Sequence, residues 1–148
     1  MTAPAFAESG WSGGWYVVPH EVTWRDLDAM NHVNNAVFFT FFEWARTKYW
    51  FHLTGGSAPG DLGFIVARAE CDFRRQLGLT ERIRIGVRIA AMRTSSLDFE
   101  YEIHNGSGEV AATGKVIVVL YSWKMNEKIP ISDELRRSVE AFQAGGER

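Results

Sequence analysis

Two periodicities divide this chain. Between Ala36 and Leu53 apolar residues fall on nearly every side of a 3.6-residue repeat: Phe38, Phe39, Phe41, Phe42, Trp44, Tyr49, Trp50 and Phe51. A surface helix carries one apolar stripe, whereas a helix apolar nearly all round is buried, so the spacing predicts a central helix over 36–53. Ala36, Thr40, Glu43 and Thr47 share its one narrow polar or small stripe. From Phe64 onward the period falls to two. Ile83, Ile85, Val87 and Ile89 alternate with Arg82, Arg84, Gly86 and Arg88, and Leu97, Phe99, Tyr101 and Ile103 alternate with Asp98, Glu100 and Glu102. Such alternation predicts half-buried strands.

Turn chemistry punctuates these runs. Gly78, the stretch 92–96 and Asn105-Gly106-Ser107-Gly108 separate strands predicted over 64–73, 83–89, 97–103 and 110–123. Short turns between long strands predict an antiparallel meander. Trp15–Arg25, rich in β-branched and aromatic residues, predicts a first strand, with Pro19 placing it at an edge or a bulge. The loop 54–63, with four glycines and a proline, is suited to a lid or pocket rim. A short last helix follows Pro130, with Ser132 as N-cap and Gly145 at its end. Residues 1–14 are small, polar and Gly-rich, which predicts a flexible N-terminus before a single domain over 15–148. Gly10-Trp11-Ser12-Gly13-Gly14 has the spacing of a nucleophile elbow, but no strand precedes it, so Ser12 is not taken as a nucleophile.

Composition narrows the function classes. A 148-residue chain with 46% hydrophobic and 14% aromatic residues supports one substantial core. A net charge of −2 with scattered Arg and Lys leaves no electrostatic footprint for nucleic acid. Glu43, Arg46 and Lys48 interrupt the long apolar helix, which argues against a membrane span. The lone Cys71 and the absence of a secretory signal at the start of the sequence predict a cytoplasmic protein. One helix cannot cover both faces of a sheet, and unpaired edges invite self-association.

The candidate chemistry is concentrated just before the central helix, in Asp26-Leu27-Asp28-Ala29-Met30-Asn31-His32-Val33-Asn34-Asn35. A helix start supplies unpaired backbone N–H groups, which can polarise a carbonyl and hold the oxyanion formed on attack. A carboxylate a few residues away can activate water or attack directly. Asn34 or Asn35 would also serve as a simple N-cap, His32 as a structural hydrogen-bonding residue, and Glu43 as the partner of Arg46 in an internal ion pair. Periodicity does not separate Asp26 from Asp28 as the acting carboxylate. Asp28 and His32 could ligate a metal, but His20, His52 and His104 show no ligand spacing and Cys71 stands alone, so no metal is expected, and no cofactor either.

This run, with Phe38 and Glu43-Trp44-Ala45-Arg46 after it, closely resembles the signature of hotdog-fold acyl-CoA thioesterases of the 4-hydroxybenzoyl-CoA thioesterase-like group. The resemblance implies an α+β hotdog, a five-stranded antiparallel sheet wrapped around one long central helix. It implies a homodimer or homotetramer, with acyl-CoA or an acyl-carrier-protein thioester as substrate. Asp28 matches the family's catalytic carboxylate, and the backbone N–H of Asn35 its carbonyl-polarising donor. His32 matches a histidine given a catalytic part in related enzymes, although Met30 replaces the Asn that accompanies it there. Asn31 stands where many members have Gly, a mild change because Asn tolerates the left-handed conformation. Asn34 is a candidate for substrate binding. Arg74, Arg75, Arg93 and Ser95, near predicted strand ends, are candidates for contacts to the CoA moiety. The alternatives are a non-catalytic acyl-CoA-binding hotdog and a hotdog hydratase or dehydratase.

Overall fold

The structure is a computed structural model that describes residues 6–57 and 63–145. Its elements run β1 (Gly10–Ser12), β2 (Trp15–Glu21), α1 (Asn35–Thr54), β3 (Phe64–Phe73), β4 (Arg82–Met92), β5 (Ser96–His104), β6 (Val110–Ser122), β7 (Glu127–Lys128) and α2 (Asp133–Gln143). One 3-10 turn, Trp24–Asp26, leads from β2 into the polar loop. Half of the loop suited to a lid, residues 58–62, lies outside the described residues.

The sheet is antiparallel with strand order β1-β2-β4-β5-β6-β3, and β7 lies beside the end of β6. The hairpins β4–β5 and β5–β6 are the expected meander, but β3 does not belong to it. It pairs with β6, from Phe64↔Leu120 to Phe73↔Ala112, while β4 pairs with β2. Period-two alternation fixes which face a side chain takes and is silent on which strand lies alongside. The α1 rod, about 30 Å long at its 20 residues, carries the chain across the sheet, and residues 74–81 bring it back.

Within the segment expected to be flexible, residues 10–14 belong to a hairpin. Gly10–Ser12 pairs with Trp15–Val17 through a Gly13-Gly14 turn, both glycines at positive φ. Phe6 lies over Gly86 and stacks on His104 at 3.7 Å, and Trp11 packs edge-on against Phe142. Aromatic burial on both sides of the sheet therefore fixes a segment whose composition suggested fraying.

Phe38, Phe41, Phe42, Ala45, Tyr49 and Trp50 of α1 are buried against Ile85, Val87, Leu97, Phe99, Tyr101 and Val118 of the sheet. Phe42 stacks on Tyr101 at 4.2 Å. The approach is close enough to require a glycine: a Cβ at Gly114 would lie 2.4 Å from the Phe42 ring and 2.9 Å from the Glu70 carbonyl oxygen. The sheet does not enclose α1 completely, because Ala36, Glu43, Trp44 and Lys48 are exposed. Ser132 caps α2 through the N–H of Leu135. At the other end of that helix Gln143 accepts from the Tyr49 hydroxyl and from Ile89 N–H, and donates to the Ile89 carbonyl.

The two sheet edges differ. At one, the three residues of β1 cover only the start of β2, and Pro19 stands in the part that β1 does not reach. At the other, all ten residues of β3 present an open edge, with Ile65, Val66 and Phe73 exposed. The architecture is a hotdog, an antiparallel sheet around one long helix, with seven strands among the described residues rather than the expected five.

Candidate active site

The polar loop is a narrow ribbon closed at its base. Asn34 N–H donates to the Asp26 carbonyl at 2.9 Å, Leu27 bridges Val33, and Asp28 N–H donates to the His32 carbonyl at 3.0 Å. Across the tip, Asn31 N–H donates to the Asp28 carbonyl, and Asn31 has φ 66°. A three-residue connection with a left-handed third residue is a standard way to close such a ribbon, and Asn is among the few residues that tolerate that conformation. Val33 N–H donates to the Leu77 carbonyl, so the ribbon is also tied to the segment that precedes β4.

Helix α1 starts from this ribbon. Asn34 is the N-cap, its side-chain oxygen accepting from Ala36 N–H at 2.8 Å, and Val37 N–H reaches the Asn34 carbonyl. The cap thus takes the second N–H of the helix. Among the described residues nothing accepts from the first, that of Asn35, and it remains a donor at the positive end of the helix. The carboxamide oxygen of Asn34, a candidate for substrate binding, is committed to the cap.

Asp28, His32, Asn35, Phe38, Arg74 and Arg75 line one cavity of about 300 Å³, with Met30, Val33, Phe73 and Gln76. One carboxylate oxygen of Asp28 accepts from Met30 N–H at 2.9 Å, which fixes the group and leaves its second oxygen available. His32 Nδ1 is buried without a hydrogen-bond partner among the described residues. Arg75 pairs with Glu109 at 3.1 Å. Asp26, the other motif carboxylate, is absent from the cavity lining. It is buried and accepts from Thr23 N–H at 2.9 Å, with His20 Nε2 at the same distance.

Two of the sequence's candidates lie apart from this cavity, and one expected ion pair is corrected. Arg93 and Ser95 are not brought to this cavity. They sit in the β4–β5 turn, at the far end of an 11-residue strand, about 34 Å from the start of β4. There Arg93 holds both oxygens of Asp98, at 2.6 and 2.9 Å. That hydrogen-bonded pairing keeps the Asp98 carboxyl below its usual range. Glu43 and Arg46 form no ion pair within 4 Å: Arg46 turns into the core, where Nη1 donates to the Tyr101 hydroxyl at 2.9 Å, and Glu43 stays exposed. Burial pushes the Tyr101 phenol up to about 12, against the effect of Arg46, so it is a neutral acceptor for that guanidinium.

Alongside the exposed flank of α1 runs a second, larger and mainly apolar groove of about 510 Å³, lined by Trp44, Arg46, Thr47, Phe51, Phe64 and Val66 among others. Its lining comes from the edge strand and from an open side of the helix, which the apolar spacing had predicted to be buried. Phe73 and Gln76 were likewise missed at the first cavity, though they flank the two arginines that were singled out. Among the described residues no group of three His, Cys, Asp or Glu side chains is placed to hold a metal ion. No described helix is long and apolar enough to cross a membrane.

A family model for a thioesterase-like superfamily matches residues 22–139. The YsmA protein of Bacillus subtilis strain 168 is 31% identical over 118 residues, 80% of each chain. Among solved structures, a thioesterase from Thermus thermophilus, complexed with coenzyme A and zinc, is 30% identical with a TM-score of 0.79, covering 93% of this chain and all of that one. The DHNA-CoA thioesterase of Staphylococcus aureus shares the fold at 21% identity, with a TM-score of 0.76 over 90% of this chain and 96% of its own.

Proposed function

This chain belongs to the thioesterase-like superfamily and hydrolyses acyl-CoA thioesters, and on that footing we propose that Asp28 and the Asn35 backbone N–H perform the reaction. One observation carries the assignment: a fixed carboxylate with a spare oxygen and a free helix-start donor line the same cavity. In the proposed reaction the thioester carbonyl lies against Asn35 N–H, which holds the oxyanion as it forms. Asp28 takes a proton from a water that attacks the carbonyl carbon. The tetrahedral intermediate then collapses, the carbon–sulfur bond breaks, and the CoA thiolate departs. A thiol with an ordinary pKa near 8.5 leaves at neutral pH without a strong general acid. His32 holds the Asp28 loop through its carbonyl.

Arg74 and Arg75, which line the cavity, are assigned to the anionic end of CoA, a ligand held in the 30%-identical Thermus structure. The groove beside α1 suits a hydrophobic acyl group, and its apolar lining supports that assignment. The functional unit is a homodimer joined along β3, a reading supported by the ten-residue open edge of that strand and its exposed Ile65, Val66 and Phe73. A homotetramer would be two such pairs.

The test is release of free CoA thiol from a panel of acyl-CoAs of graded length and aromaticity, with matched acyl-carrier-protein thioesters in parallel. Asp28→Asn, which keeps shape and loses charge, should remove most turnover while the fold is retained. Asp26→Asn should do less, because that carboxylate lies outside the cavity and can reach the reaction only through the placement of Asp28. If folded Asp26→Asn proved the more damaging, the assignment of the acting carboxylate would be wrong.

A further inference from the structure

We propose that His20 is a positioning residue for Asp28, acting through the buried carboxylate of Asp26; the inference rests on the role given to Asp28 above. His20 stands near the end of β2, six residues before Asp26, and its Nε2 lies 2.9 Å from Asp26 Oδ2. A carboxylate only accepts, so the imidazole carries its proton on Nε2 and donates. The same oxygen accepts from Thr23 N–H at 2.9 Å and lies 3.3 Å from Thr23 Oγ1. The Asp26 side chain is thereby fixed to β2 and to the turn that follows it.

The main chain of Asp26 faces the other way. Its carbonyl accepts from Asn34 N–H at 2.9 Å, and Asn34 is the residue whose side chain caps α1. Asp26 is therefore the joint where the strand, the ribbon and the helix start are fastened together. Asp28 lies two residues further along the ribbon, held by its N–H to the His32 carbonyl. The His20 ring lies 5.1 Å from the ring of Phe41 and 4.8 Å from that of Trp44, both on α1. One side chain thus sets β2 against the helix with its ring and against the ribbon with its proton. The quantity it controls is the placement of the Asp28 carboxylate relative to Asn35 N–H. A misplacement of about 1 Å in such a pair costs on the order of 100-fold in rate.

Two kinds of substitution separate the proton from the ring. His20→Gln keeps a donor at the Nε2 position and loses the aromatic packing, while His20→Phe keeps the ring and loses the donor. If His20 acts through Asp26, His20→Phe lowers kcat by about 10- to 100-fold with KM little changed, and His20→Gln recovers most of the loss. His20→Leu, also without a donor, takes the place of His20→Phe should that variant not fold by circular dichroism. The loss should also vanish in an Asp28→Asn background, since a positioning effect needs the group it positions. Near-normal kcat in a folded donor-less variant, or His20→Phe outperforming His20→Gln, overturns the inference. Near-normal turnover of Asp28→Asn itself would instead overturn the role of Asp28, so the two failures read differently.

Discussion

Asn34 and Asn35 are adjacent and chemically identical, yet the helix start places them in different roles. The first spends its side chain on Ala36 N–H; the second contributes its main-chain N–H. A side-chain deletion at 35 should therefore matter less than deletion of the N–H. Asn35→Ala should retain much of the activity. Asn35→Pro removes the donor, and the site tolerates it: proline is favoured at a first helical position, and Asn34 at φ −61° and ψ 138° already has the extended conformation that a following proline demands. Loss of one oxyanion donor costs on the order of 100- to 1000-fold in turnover, so steady-state hydrolysis should rank wild type, then Asn35→Ala, with Asn35→Pro far below. A well-folded Asn35→Pro with near-normal turnover would place the carbonyl elsewhere. At this scale the sequence was legible where neighbours in sequence are also neighbours in space. Asp28, His32 and Asn35 lie within one short motif and share one cavity. Arg93 lies apart from that cavity because proximity to a strand end says nothing about which end of the sheet that is. His20 was passed over because its partner is set by the turn of the chain through Trp24–Asp26, which has no periodic signature.

Among the elements, the central helix and the strand Phe64–Phe73 were read almost to the residue, the helix because its long apolar run stops at Gly55-Gly56 and the strand because it starts after Gly63, although its alternation is irregular. The crossover that places β3 beside β6 was not readable, since pairing partners are chosen by the path of α1 across the sheet. Nor was β1, three residues among glycines, whose position depends on Phe6 and Trp11 finding aromatic partners. Contact between α1 and the sheet makes its own demand. Gly114 is where β6 passes under the Phe42 ring and beside the Glu70 carbonyl, and only one of those neighbours can rotate away. Gly114→Ala should destabilise the fold by roughly 1–3 kcal/mol, the usual cost of overpacking. Urea denaturation should show a lower midpoint with an unchanged slope; an unaltered midpoint would mean that α1 rides less tightly on the sheet.

For the whole molecule, the decisive contrast is between a blunted edge at β1–β2 and an open one at β3. Sedimentation of the wild type should give a dimer or a dimer of dimers at micromolar concentration. Charging the open edge with Ile65→Lys and Val66→Lys together should shift the species to a monomer of unchanged circular dichroism, because lysines are a usual guard against edge pairing. A wild-type monomer under the same conditions would refute joining along β3. The unequal edges also set an upper limit on growth. In the vocabulary of polymerisation, each sheet is a monofunctional unit with a single reactive end. When two copies meet antiparallel along β3, both ends are consumed and no third strand edge is offered. Raising the concentration can fill the population of pairs, but by this route it cannot lengthen them into a fibre.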